Sequence, residues 1–238
     1  LLERMKELIS YEEPLVRTTY ALVVGSLGMR EDQQAMAIEV ACYQMSKTDS
    51  PEVQQHGVSI LSLMGEPVSE SVLVSSKFEE ILYQKLELLM SGKRLSVEEI
   101  GLLMAMVECI TNIHLTTTHV LTCLLGLLRE SNDPSLRTAI CLAFKRLSAE
   151  LTADRKDHCE EFVLLLFSSP EGYVREIGIK LIRYMGRDAI KRNASKLIKM
   201  ISDSELYVRK QAIKTVSCLL AKGDEQTKKE ALLLLPAV

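Results

Sequence analysis

The residues of this sequence that could bind a metal ion or act as nucleophiles are widely scattered. The 238 residues include 4 His and 6 Cys. His119 and Cys123 are four residues apart and would share one face of a helix, and "DHCEE" (157–161) could supply further ligands. This spacing matches no compact zinc-binding pattern, however. We therefore predict neither a metal site nor a cofactor.

The sequence also lacks the short patterns with which enzymes activate a serine or hold a phosphate group. Neither Gly-x-Ser-x-Gly nor Gly-x-x-x-x-Gly-Lys-Ser/Thr is present. "MSGKRLS" (90–96) comes nearest to a phosphate-binding loop but lacks its first glycine, so we predict a polar loop between helices. No catalytic residue is predicted, and the chain is expected not to be an enzyme.

The composition indicates a helical protein. Hydrophobic residues make up 47% of the chain, aromatic residues only 5%, and Trp is absent. Such a composition suits the packing of helix on helix better than the building of sheets. No apolar run reaches the roughly 18 residues of a membrane span, and the widely spaced cysteines indicate reduced thiols. We expect an all-α protein, located in the cytoplasm or the nucleus, with no transmembrane segment.

A repeated pattern organises the chain into units of roughly 34 to 44 residues. Five segments share a turn followed by an apolar helix: "YEEPLVRTTYALVVGSLG" (11–28), "TDSPEVQQHGVSILSLMG" (48–65), "SNDPSLRTAICLAFKRLS" (131–148), "SSPEGYVREIGIKLIRYMG" (168–186) and "SDSELYVRKQAIKTVSCLL" (202–220). A sixth, degenerate unit is predicted over 66–114, where "LSVEEIGLLMAMVECITNI" (95–113) lacks the proline. Each unit is predicted to be one apolar helix, a short turn and a second apolar helix.

The turn residues of these units explain where the helices should begin and end. Proline fits the first turn of a helix because its missing N–H is not needed there. Glycine fits the position where a helix must stop. The prolines concerned are Pro14, Pro51, Pro134 and Pro170, and the glycines are Gly28, Gly65 and Gly186. Because one such amphipathic helix cannot bury its apolar stripe alone, the units must stack on one another.

The order of residues in "SDSELYVRKQAI" and "NDPSLRTAICLA" resembles the HEAT repeat, a close relative of the armadillo repeat. The resemblance covers the whole chain, 1–238, and implies a right-handed α-solenoid of about six helix pairs. It also implies a structural ladder in which turn aspartates pair with arginines of neighbouring repeats. The matching residues are Asp49, Asp133, Asp203, Arg17, Arg137, Arg175 and Arg209. Gln54 departs from this pattern, as does the stretch 66–114, so the array is expected to be irregular there.

Both ends of the sequence indicate a segment of a longer array. The chain opens inside an apolar helix and closes on "KKEALLLLPAV", whereas solenoids need polar caps at their ends. We expect the rest of the parent solenoid to adjoin this segment at both ends.

Charge is distributed unevenly along the chain. Residues 1–174 hold 15 Lys and Arg against 25 Asp and Glu, whereas the basic repeats at 175–222 hold 12 against 4. At 100° per residue, several of these cations fall opposite the apolar stripes of their helices. They form a predicted basic row of Lys145, Lys180, Arg183, Lys210 and Lys214, which belong to second helices. A second basic face is predicted at Arg192, Lys196 and Lys199, on a first helix.

The basic row has three interpretations. It can be a solvated face with no ligand, a groove for an acidic segment of a partner protein, or a surface for nucleic acid or anionic lipid. HEAT-like arrays, which the sequence resembles, occur as scaffolds in many assemblies. We predict a non-catalytic intracellular scaffold or adaptor that binds partner proteins along its repeat surface. The alternative is a nucleic-acid-binding protein that uses the basic C-terminal repeats.

Overall fold

The computed structural model describes residues 14–222, and in this part of the chain all regular structure is helical. The helices are α1 (Pro14–Gly28), α2 (Gln34–Met45), α3 (Pro51–Met64), α4 (Val72–Met90), α5 (Val97–Asn112), α6 (Thr118–Glu130), α7 (Pro134–Leu147), α8 (Ala153–Leu166), α9 (Gly172–Met185), α10 (Arg187–Arg192), α11 (Ala194–Lys199) and α12 (Leu206–Lys222). Short 3₁₀ turns lie at Glu66–Val68 and Met200–Ser202.

Several helices begin and end at the residues that the sequence pattern predicts. Prolines open α1, α3 and α7, whereas α9 begins two residues after Pro170. The Ser50 hydroxyl accepts a hydrogen bond from the N–H of Val53 and so caps the start of α3. Gly65 and Gly186 have φ of 73° and 104°, in the left-handed region, and end α3 and α9. Local residue chemistry therefore fixes these boundaries.

The chain divides into two compact units, with the boundary between Ala143 and Phe144 inside α7. In the first unit, α1 packs against α3 and α3 against α5, while α2 packs against α4 and α4 against α6. The second helices and the first helices of successive pairs thus form two layers. At Gly57 the layers approach so closely that an added Cβ would lie 2.5 Å from the carbonyl oxygen of Ala41. Only glycine fits this crossing of α3 over α2.

In the second unit, α9 packs against α8 on one side and α12 on another, and α10 and α11 pack against α12. The core contains fully buried aliphatic residues such as Ile179, Ile182 and Leu197. Gly178 lets α9 approach the ring of Phe167, to which an added Cβ would come within 2.9 Å. The two helices that carry most of the predicted basic row, α9 and α12, are therefore direct neighbours.

Between α9 and α12 the sequence predicts a single helix, the first helix of its repeat unit. In the structure this helix is divided into α10 and α11. Asn193 lies between α10 and α11, almost fully buried. Its side-chain amide donates hydrogen bonds to the Glu160 carboxylate at 2.5 Å and to the Ala189 carbonyl at 2.9 Å. The break therefore forms where a polar side chain of this helix reaches a buried acid on α8.

The degenerate unit predicted over 66–114 forms a helix pair, α4 and α5. Ser96 and Glu99 make a reciprocal capping box at the start of α5, with the Glu99 side chain accepting from the Ser96 N–H at 2.8 Å. Glu99 also pairs with Lys85 of α4 at 2.7 Å, and both side chains are largely buried. A capping box and an ion pair thus stand where four of the other units have a proline turn.

Candidate functional site

Arg175 is the most extensively bonded of the predicted ladder residues. One terminal nitrogen, Nη1, donates to the carbonyl oxygens of Ser169 and Pro170 at 2.8 and 2.9 Å. The Nε and Nη2 groups donate to the two carboxylate oxygens of Asp203 at 2.7 and 2.8 Å. Arg175 thus braces the turn before its own helix and clamps the turn before α12.

The Arg175–Asp203 pair is shielded from solvent, with side-chain exposures of 12% and 8%. The hydrogen bond from Arg175 holds the pKa of Asp203 below its ordinary value, although burial acts in the opposite direction. The same hydrogen bond raises the pKa of Arg175. Bidentate pairing of this kind is stronger than a single neutral hydrogen bond. The pair therefore joins two successive repeats of the second unit.

The other predicted ladder residues make different contacts. Arg17 pairs with Glu52 at 2.9 Å, and Arg209 donates through Nη1 to the carbonyl oxygens of Asp203 and Ser204 at 2.7 and 2.8 Å. Arg137, on α7, donates to the Asn132 side chain at 3.3 Å. Asp133 caps α7 by accepting from the N–H of Leu136 at 2.8 Å, and Asp49 is exposed in the loop between α2 and α3.

The predicted basic row lies entirely in the second unit. Lys145, Lys210 and Lys214 are exposed, whereas Lys180 and Arg183 are half-buried. Lys210 and Lys214 are one helical turn apart on α12, and Lys180 and Arg183 lie on α9, the helix that packs against α12. Lys180 pairs with Glu176 one turn earlier, at 2.7 Å. The structure thus brings four of the five residues onto two adjacent helices, with the fifth on α7.

The predicted second basic face contains one residue with acidic partners in the same unit. Arg192 donates to Asp157 at 2.9 Å and also bonds the buried Glu160 carboxylate. The hydrogen bond to Glu160 raises the pKa of Arg192. Lys196 and Lys199 are exposed on α11. The "DHCEE" segment, which the sequence offered as a source of metal ligands, supplies both acids to Arg192.

The His and Cys residues do not form a metal site in the described part of the chain, where no group of three or more His, Cys, Asp or Glu side chains could hold an ion. His119 is exposed while Cys123 is buried, so the two side chains do not share one environment. None of the 6 cysteines, all of which are described, forms a disulfide. Burial raises the pKa of the Cys42, Cys123 and Cys159 thiols to about 11, and that of Cys109 further still.

No helix between residues 14 and 222 combines the length and apolar character needed to cross a membrane.

Solved structures with a similar helical architecture include two engineered proteins. One, a designed armadillo repeat protein, is 15% identical, with a TM-score of 0.52, over 92% of this chain and 100% of its own. The other, described as an engineered protein from a structural genomics consortium, is 14% identical, with a TM-score of 0.53, over 92% of this chain and 96% of its own. No protein-family model and no curated protein matches the sequence. The chain has an armadillo/HEAT-like helical-repeat fold, an α-solenoid, as its sequence predicted.

Proposed function

We propose that this chain is a non-catalytic intracellular scaffold that binds an acidic segment of a partner protein along the basic row of its second unit. The observation that supports this proposal is the packing of α9 against α12, because α9 carries Lys180 and Arg183 and α12 carries Lys210 and Lys214. Stacked helical repeats offer extended, pre-formed surfaces of this kind to their partners.

The charge of the second unit supports an acidic partner. Its described residues include 16 Lys and Arg against 10 Asp and Glu, whereas those of the first unit include 9 against 15. Cations on one face raise the rate of encounter with an acidic segment and disfavour basic competitors. The second unit is therefore the part of the molecule that an acidic segment would approach.

The cations of the row differ from Arg192 in the ion pairs that they form within the second unit. Lys210 and Lys214 form no ion pair with a residue that the structure describes. Lys180 pairs with Glu176, a half-buried residue one turn earlier on the same helix, and pairs of this i,i+4 kind contribute little to stability. Arg192, in contrast, is engaged by Asp157 and Glu160. The row thus retains cations that a partner can bind without first breaking a buried pair.

The proposal is tested by reversing the charge of the row and, in a matched control, the charge of another face of the same unit. The row variant carries Lys180→Glu, Arg183→Glu, Lys210→Glu and Lys214→Glu. The control variant carries Arg187→Glu, Lys191→Glu, Lys196→Glu and Lys199→Glu, which changes the net charge by the same amount on α10 and α11. Circular dichroism must first show that both variants are as helical as the parent chain.

Partners are captured from nuclease-treated lysate on the three proteins, and the affinity of each captured partner is then measured with purified components. A partner that is lost from the row variant but retained by the control supports the proposal. Equal retention by all three proteins would show that the row is a solvated face. Nucleic acid would be favoured as the partner if the parent chain bound single-stranded DNA with an affinity that falls steeply with salt, and if the row variant did not bind it.

A further inference from the structure

A groove opens in the first unit between the loop that joins α4 to α5 and the loop that joins α6 to α7. Its volume is about 520 Å³, within the range of small-ligand and peptide clefts. Leu89, Leu95 and Ile100 provide its apolar surface, and Lys93 and Arg94 stand on one side of it. The groove belongs to the first unit, whereas the basic row belongs to the second.

The first loop is held in one conformation by its own hydrogen bonds. Gly92 ends α4 with φ of 77°, and the N–H of Lys93 donates to the Leu88 carbonyl at 3.1 Å. At the other end of the loop, the capping box of Ser96 and Glu99 fixes the start of α5. Lys93 and Arg94 therefore project from a backbone that is anchored on both sides.

The two acidic residues that line the groove, Glu130 and Asp133, already accept hydrogen bonds from neighbouring groups of the chain. The Asp133 carboxylate accepts from the N–H of Leu136 at 2.8 Å, and Glu130 accepts from Arg129 at 2.6 Å. The Ser131 hydroxyl accepts from the Asp133 N–H at 3.1 Å, which ties the second loop together. These acids therefore have less capacity to bind a cationic ligand.

The cations on the opposite side are not engaged in this way. Lys93 and Arg94 are exposed, and neither forms an ion pair with a residue that the structure describes. The loop does not present a phosphate cradle, because the N–H groups of Gly92 and Lys93 donate into the C-terminal carbonyls of α4. What remains available for binding is two cationic side chains beside an aliphatic surface.

We propose that this groove binds a short segment of a partner protein in which an aliphatic side chain stands next to a carboxylate. The aliphatic side chain packs on Leu89, Leu95 and Ile100, where its burial supplies affinity. The carboxylate lies against Lys93 and Arg94, and the planar guanidinium of Arg94 can hold both of its oxygens. The apolar and charged contacts together select a mixed segment over one that is only acidic or only apolar.

The test uses a defined peptide, fluorescein-Gly-Ser-Glu-Leu-Asp-Leu-Ser-amide, titrated with the full chain and followed by fluorescence anisotropy. We expect Lys93→Glu together with Arg94→Glu to weaken binding at least tenfold. The control is Arg30→Glu together with Lys47→Glu, which reverses two cations in other inter-helix loops of the same unit and should leave affinity within twofold. A peptide with both leucines replaced by serine should bind at least fivefold more weakly.

Three results would overturn the proposal. If the control variant weakened peptide binding as much as the Lys93 and Arg94 substitutions, the binding would reflect general charge attraction. If the serine peptide bound as tightly as the leucine peptide, the apolar surface would not contribute to binding. If binding did not saturate up to millimolar protein, the groove would not be a binding site for a segment of this kind. Hydrogen exchange gives an independent readout, since bound peptide should slow exchange in residues 91–96 and 131–133. The row variant of the second unit should bind the peptide normally, which separates failure of this site from failure of the scaffold proposal.

Discussion

Arg175 in the second unit and Gln54 in the first occupy the same position of the repeat but form different sets of hydrogen bonds. Arg175 braces the turn before α9 and also clamps Asp203 in the turn before α12. Gln54 is buried on α3 and donates one hydrogen bond, at 2.9 Å, to the carbonyl of Met45 at the end of α2. The glutamine thus keeps the local brace and omits the link to the next repeat.

The loop that precedes the next second helix carries opposite charges in the two units. Asp203 lies three residues before the first residue of α12, and Arg94 lies three residues before the first residue of α5. If the two loops correspond, we expect an arginine at position 54 to face a cation, whereas Arg175 faces a carboxylate. A neutral amide at position 54 would avoid that repulsion.

The largest effect is expected from removing the clamp of the second unit. Asp203→Ala should lower the free energy of unfolding by about 2 to 3 kcal/mol, because it leaves the shielded Arg175 guanidinium without its carboxylate. Urea unfolding followed by circular dichroism measures this loss. Asp188→Ala, an exposed position on α10, serves as the control. An Asp203 variant as stable as that control would show that the clamp contributes nothing.

A somewhat smaller loss is expected when the motif is restored in the first unit. Gln54→Arg should cost about 2 kcal/mol, since it buries a charge that has no carboxylate at the equivalent place. Adding Arg94→Asp should recover at least about 1 kcal/mol through a new pair, which a double-mutant cycle measures. Strictly additive effects of the two substitutions would mean that positions 54 and 94 do not correspond as Arg175 and Asp203 do.

Acid should weaken the second unit through the same carboxylate. The pKa of Asp203 is lowered in the folded protein by the hydrogen bond from Arg175, so the pair stabilises the fold above the ordinary Asp value and this stabilisation is lost as pH falls through the folded value. The stability difference between the parent chain and Asp203→Asn should therefore shrink between pH 6 and pH 2. If the stability difference between the two proteins stayed constant over this pH range, the substitution would act through packing alone and not through the charge of Asp203.

The smallest effect is expected at the exposed pair of the first unit. Glu52→Ala should change the free energy of unfolding by less than about 0.5 kcal/mol, because the Glu52 side chain is 62% exposed and its attraction to Arg17 is screened. The small change should vanish in 0.5 M salt. A loss as large as that of Asp203→Ala would remove the contrast between a shielded clamp and a surface pair.

Local chemistry made much of the fold predictable from the sequence. Pro51 and Gly65 bound α3 because their backbone preferences act on their immediate neighbours. The break at Asn193 was not predicted, because it depends on Glu160, which lies 33 residues earlier in the chain. The pairing of Arg192 with Asp157 was missed for the same reason, although its separation of 35 residues is close to one repeat and could have indicated it.

The groove illustrates the same limit. "MSGKRLS" was recognised as a polar loop, but nothing in those seven residues shows that Asp133 and Pro134 stand opposite them. Sequence periodicity gives the order of helices, whereas a cleft depends on which loops meet after stacking. The pairing of Lys180 with Glu176, in contrast, follows from their i,i+4 spacing on one helix and could have been predicted from the sequence.

The buried thiols give each unit its own reporter of local opening. Cys109 in the first unit and Cys159 in the second are both fully buried, and burial raises the pKa of each. Since the thiolate is the reactive form, an alkylating reagent at neutral pH must wait for the surrounding helices to part. The modification rates of these two cysteines therefore report how often each unit opens, within one molecule and without any introduced cysteine or attached label.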